Sequence, residues 1–289
     1  MSGAVHTITL DSSSSLIYAG GSFTNIGGQA RNNLAAIDTS TGTPTSWNPD
    51  VNSVIRNLIY DSSNSLIYIG GSFTSVGGQA RNRLAAIDTS TGTPTSWNPD
   101  ASGPVYTLNL DSSSSLIYAG GAFTSVGGQA RNNLAAIDTS TGTPTSWNPN
   151  PNSFVLVLAH DPSTSLLYAG GIFTNIGGQS RNRLAAFDTS TGALTSWNPN
   201  VNSYVYSLAL NSINSTIYAG GLFTSVGGQG RNYIAGINAS TGDVTSWNPD
   251  ANSSIQAFAL DISNSLIYAG GNFTTIGGQS RRYIAAIDL

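Results

Sequence analysis

The chain has 289 residues, a net charge of −4 and only 8% charged residues; every basic residue is arginine, every acidic one aspartate, and there is no cysteine. A chain of this length buries a large core without disulfides, and its ten scattered arginines form no basic stripe of the kind that binds nucleic acid. No run approaches the roughly 18 apolar residues of a membrane helix, so no membrane span is expected.

Taken in chain order, the first elements are short and β-rich. Val5 to Leu10 (VHTITL) predicts a strand, and Asp11 to Ser15 a polar turn. Leu16 to Thr24 (LIYAGGSFT) predicts a second strand, Gly27-Gly28-Gln29 a turn, and Arg31 to Asp38 (RNNLAAID) a third strand. Thr39-Ser-Thr-Gly42 ends it, and Thr45 to Trp47 reads as a short fourth strand closed by Asn48-Pro49. Short apolar runs separated by Gly, Ser and Asn, with no helical period, are the signature of an antiparallel meander.

The pattern then repeats. Gly-Gly-x-Phe-Thr begins at Gly20, Gly70, Gly120, Gly170, Gly220 and Gly270, a constant spacing of 50 residues. A four-stranded meander recurring on this scale predicts an all-β, six-bladed β-propeller forming one domain over 1–289, with blades 1–50, 51–100, 101–150, 151–200, 201–250 and 251–289. A β-solenoid is the second reading. Val or Ile at the position of Val5 suits an innermost strand, and the proline-stopped Trp47 run suits an outermost one. The last blade is expected to lack its outer strand, leaving Tyr283 to Leu289 as an open edge for protein partners or self-association. Asp11 to Pro49 differs from Asp111 to Pro149 only at Ser22/Ala122, Asn25/Ser125 and Ile26/Val126, which points to recent duplication; consensus engineering is the alternative origin.

The run IYAGGSFTNIGGQARNNLAAIDTSTG-x-x-TSWNP resembles the delta-60 repeat, a bacterial β-propeller unit of unassigned biochemistry. The shared elements are Gly-Gly-x-Phe-Thr, Gly-Gln-x-Arg-Asn, Leu-Ala-x-x-Asp and the closing aromatic-Asn-Pro, found in nearly all of the chain. It departs from that family in having Thr-Gly at the third turn and Trp as the closing aromatic. The Gly-Gly ending of the second strand is also similar to kelch repeats. The resemblance implies a propeller in a surface or secreted setting and implies no catalytic residues.

Two sets of residues are candidates for a site. Arg31, Arg81, Arg131, Arg181, Arg231 and Arg281 supply a guanidinium in every repeat, either as a ligand fork between blades or as an internal bond to Asp38-type carboxylates or turn carbonyls. Trp47, Trp97, Trp147, Trp197 and Trp247 act either as sugar platforms or as covers over the outer blade edge, each indole N–H finding a carbonyl. Asp11-type aspartates before serines read as Asx turns rather than calcium ligands. His6 and His160 have no metal-binding companions, and neither a phosphate loop nor a Gly-x-Ser-x-Gly elbow is present. No enzyme activity, cofactor or metal is therefore expected. Sequons stand at Asn214, Asn238, Asn252 and Asn272.

The expected function is that of a non-catalytic structural or interaction scaffold giving multivalent contacts, with a lectin-like, carbohydrate-binding propeller as the alternative. The N-terminal Met-Ser-Gly-Ala-Val has no signal-peptide character. A lysine-free surface rich in Ser, Thr and Asn nevertheless suggests an extracellular or cell-surface setting.

Overall fold

The computed structural model describes residues 2–289. Met1–Asn148 and Pro149–Leu289 form two compact units, each carrying three of the repeats. Among the described residues every repeat forms one three-stranded antiparallel sheet and one two-stranded hairpin. In the first repeat the sheet is built from Ala4–Asp11, Leu16–Ser22 and Leu34–Asp38, with the second strand in the middle.

The alternating apolar residues of these strands are buried between neighbouring sheets. One core cluster takes Tyr18, Leu34 and Ala36 from the first repeat with Ile55, Ile67 and Phe73 from the second. Within the first unit the strands Ala4–Asp11, Ile55–Asp61 and Val105–Asp111 run in contact with one another. Within the second, Val155–Asp161, Val205–Asn211 and Ile255–Asp261 do the same. Val5-type residues are thus placed against the preceding sheet: Ile55 and Val105 are fully buried.

The Gly-Gly pair explains how the sheets come so close. A Cβ on Gly20 would lie 2.7 Å from Ile55 Cγ2 of the next repeat, and a Cβ on Gly21 only 2.1 Å from the Ala4 carbonyl oxygen. Opposite this pair the first strand is bulged. Val5 pairs with Gly21 and Thr7 with Gly20, so His6 has no partner across the ladder. The same shift recurs in all six repeats. A bulge bends its strand and re-aims the extra side chain.

The structure corrects three boundaries. First, the turn at Gly27-Gly28 is present, but Gln29 lies in the short strand that follows it. With φ of 57° and 81°, the glycines close a tight hairpin between Asn25–Ile26 and Gln29–Ala30, the backbone that two-residue hairpins favour. Second, the third strand begins at Leu34 rather than Arg31, because the chain turns at Asn33 with φ of 60°. That turn is held from both sides: Asn33 N–H donates to Phe23 O at 2.8 Å, and Gly21 N–H to Asn33 O at 2.9 Å.

The third correction removes the fourth strand. Where four strands per blade were expected, the Thr45 to Trp47 run forms no strand, and Pro44 before it makes only an isolated bridge to Ile37. Pro44 has no N–H to donate, but Leu194 and Val244 at the same place also form only a bridge. The common cause lies one residue on: Thr45 Oγ1 accepts the Trp47 N–H at 3.2 Å. This local bond turns the chain away before a ladder extends.

Candidate functional site

The repeated arginine holds its own repeat together. Arg131 donates through Nη1 to Ala130 O at 2.7 Å and through Nη2 to Gln129 Oε1 at 3.2 Å and to Thr145 O. Arg31, Arg81 and Arg231 make the same three contacts, and Arg181 keeps the two to carbonyls. The guanidinium therefore ties the Gly-Gly hairpin to the run that precedes each tryptophan. Arg131 and Arg181 are buried; Arg31, Arg81 and Arg231 are half-buried. Arg281 is exposed and bonds Ser280 O at 3.2 Å. The carboxylate of Asp38 takes no part, because its Oδ1 already accepts from Ser40 and Thr41.

The tryptophan, by contrast, reaches forward. Trp47 Nε1 donates to Asp88 O at 3.2 Å, Trp97 to Asp138 O at 2.9 Å, Trp197 to Asn238 O at 3.0 Å and Trp247 to Asp288 O at 2.7 Å. Each acceptor ends the third strand of the next repeat. The ring is held edge-on by the tyrosine of its own repeat, with centroids 5.1 Å apart for Tyr18 and Trp47 and 5.6 Å for Tyr118 and Trp147. Its other side rests on the Thr-Gly turn that follows the acceptor: a Cβ on Gly92 would lie 3.2 Å from Trp47 Cδ1. Trp47, Trp97 and Trp197 are 8%, 4% and 3% exposed, which leaves no open indole face. Trp147 and Trp247 are half-buried. Arginine and tryptophan are both tied to Thr45, whose carbonyl accepts from Arg31 Nη2 and whose hydroxyl accepts the Trp47 N–H.

The acidic turns are local. Asp11 Oδ1 accepts from Ser13 N at 3.0 Å and from Ser14 N at 3.2 Å, an Asx turn. Burial raises its pKa, but the hydrogen bonds from Ser13 and Ser14 outweigh this and hold the carboxyl below its ordinary range. In the corresponding turn after the third strand, the Ser140 hydroxyl and the Thr141 N–H pull Asp138 down to about 2. Burial, with Asp11 nearby, pushes the Tyr18 phenol up to about 12. Among the described residues no cluster of three His, Cys, Asp or Glu has metal-binding geometry, and no helix is long and apolar enough to cross a membrane. Asn214 is exposed, whereas the Asn238 amide oxygen accepts from Ser240 and Thr241 N–H. At the expected open edge, Ile284–Asp288 pairs with Leu266–Gly271, and Tyr283 and Ile284 are exposed.

A third set of residues was not singled out from the sequence. The bulged position holds His6, Arg56, Tyr106, Leu156, Tyr206 and Gln256, a different side chain in almost every repeat. His6, Arg56 and Gln256 are exposed, the others half-buried. The contrast with the rest of the repeat is sharp. Ala4 to Leu10 differs from Pro104 to Leu110 at four positions (Ala4/Pro104, His6/Tyr106, Ile8/Leu108, Thr9/Asn109), over a far shorter stretch than the three differences between Asp11 and Pro49. The whole first strand varies between repeats, position 4 (Ala4, Val54, Pro104, Phe154, Tyr204, Ser254) as much as the bulged one; the bulge is what sets His6-type residues apart within it.

Residues 30–153 match the family model of the Rax2 C-terminal beta propeller domain. No curated protein matches the chain. The matched family is not the delta-60 repeat that the motifs resemble. Together with the all-β repeat of three-stranded sheets, the match supports a β-propeller.

Proposed function

We propose that this chain is a non-catalytic interaction scaffold, a propeller with six repeats as blades that acts at the cell surface or outside the cell. The observation that carries the reading is the bulge. Six near-identical sheets, locked by the arginine and tryptophan contacts, present six re-aimed side chains that differ in charge, size and polarity. A rigid frame with variable accessible positions suits recognition, since little ordering entropy is lost when a partner docks. The repeated hairpins at Gly27-Gly28 add identical exposed contacts, so that individually weak interactions sum. The exposed edge at Tyr283 to Leu289 is a further contact surface under the same reading.

An array of random-sequence peptides tests this. The native chain should select a discrete set, and a variant with serine at all six bulged positions should bind that set at least tenfold more weakly with its melting point preserved. Selection of no peptide, or undiminished binding by the serine variant, overturns the reading. Selection from a glycan array, lost on replacing Trp247, would instead favour the indoles as sugar platforms.

A further inference from the structure

Resting on that reading, we infer that the bulged residues of the first unit form a recognition site for an extended acidic peptide segment, with Arg56 as the carboxylate anchor. The chain uses seven of its nine other arginines differently. Those at the Arg31-type positions are bonded to carbonyl oxygens of their own repeats, and Arg83 Nη1 donates to Ala101 O at 3.1 Å. Arg56 is exposed, and among the described residues its guanidinium has no hydrogen bond or ion pair. Its five donors are therefore available as a planar fork, which is the geometry that grips a carboxylate through two parallel bonds.

The neighbours are set by the fold. The first strands of the three repeats lie side by side, so His6 and Tyr106 flank Arg56 at the same bulge of adjacent sheets. The imidazole is coupled to the guanidinium: partial burial and then the Arg56 charge hold its pKa below the ordinary value. His6 Nε2 lies 3.2 Å from Ser22 Oγ. A chain with net charge −4 thus presents a local cationic point bordered by an imidazole and a phenol, complementary to an acid flanked by polar or aromatic groups. Sheets packed face to face are about 10 Å apart and an extended chain rises about 3.3 Å per residue. One repeat is therefore matched by about three residues of an extended ligand, which favours a peptide strand over a small free acid.

The test is an NMR titration of the full chain with acetylated hexaglutamate, followed at the side chain of His6, one of only two histidines present. Saturable shifts at His6 are expected, with His160 unmoved. Arg56→Gln should weaken binding at least tenfold at an unchanged melting point. Arg282→Gln, which removes another exposed arginine, should leave binding intact. The inference is overturned if His6 does not respond, if Arg56→Gln binds as the native chain does, if Arg282→Gln weakens binding equally, or if sulfate at matched ionic strength reproduces the titration. None of these outcomes touches the scaffold reading, which falls if the array selects no peptide or if the six-position serine variant keeps its peptide binding.

Discussion

Replacing Trp97 by alanine removes three things at once, and the structure assigns a size to each. The indole is 4% exposed, so truncation empties a packed site between two sheets; such a change costs about 3–5 kcal/mol, a range that includes the loss of the edge-on contact with Tyr68 at 5.1 Å. The Nε1–H bond to Asp138 O adds about 1 kcal/mol. That share stays at the low end because the same carbonyl also accepts the Gly142 N–H at 3.0 Å and is not orphaned. The expected total is about 4–6 kcal/mol. For a body of this size each kcal/mol moves the melting point by about 2–4 °C, giving a fall of roughly 8–24 °C. Trp97→Phe keeps the aromatic contact and loses the N–H, and should cost about 1–2 kcal/mol. Trp247→Ala deletes the same atoms from a half-buried site and should cost less than half as much as Trp97→Ala. Calorimetry and guanidinium unfolding followed by circular dichroism measure all three. Equal losses for Trp97→Ala and Trp247→Ala, or a loss below about 1 kcal/mol for the former, would refute the claim that the indole secures one repeat to the next.

Arg131→Ala should destabilise by about 1–3 kcal/mol by stranding carbonyls of Ala130 and Thr145, whereas Arg281→Ala, exposed and singly bonded, should leave the melting point within error. Gly121→Ala places a Cβ 2.2 Å from Pro104 O and should abolish the bulge and the soluble fold, while Gly230→Ala meets nothing within 4 Å and should stabilise by about 0.4–1 kcal/mol, both read by thermal melts. The phenols of Tyr18, Tyr68 and Tyr168 are pushed up to about 12, chiefly by burial. They stay neutral when folded but ionise near 10 when unfolded, so the stability they confer is intact below about pH 10 and is lost as pH rises toward 12, which absorbance at the tyrosinate band will follow. Asp138, lowered from 3.8 to about 2, acts in the opposite sense: its contribution is present above about pH 4 and disappears as pH falls to 2, and Ser140→Ala should flatten that acid limb of the stability curve.

Much of the architecture is readable from residue order, because strands and turns here are governed by local rules. Glycine inside a strand marks a bulge or a close approach of backbone, and the structure has both at the Gly-Gly pair. The Asx turn at Asp11 follows from its serines. Other features depend on contacts that a linear pattern does not contain. Arg83, Tyr233 and Tyr283 look like strand residues, yet they adopt φ of 63°, 65° and 70°, which only backbone bonds from distant strands make tolerable. The TSW run has strand composition, but the Thr45 hydroxyl captures the next turn. The reach of Trp47 to Asp88 is invisible in a single repeat. The bulged position is harder still: read alone, His6 is one more alternating residue, comparison of the six copies marks only the whole first strand as variable, and the shift in register alone sets His6 apart.

The forward reach of the indole also constrains how the gene can change length. Donor and acceptor are separated by 41 residues each time, as in Trp47 to Asp88 and Trp197 to Asn238. Inside either compact unit, excising or inserting one full period, from whatever starting codon, rejoins every tryptophan to a carbonyl at the proper distance. A change of any other length between a tryptophan and its acceptor leaves that indole facing the wrong turn. Misaligned recombination between copies, which shifts by whole periods, is therefore tolerated where ordinary small insertions between a tryptophan and its acceptor are not. The molecule is built to be copied in steps of its own repeat.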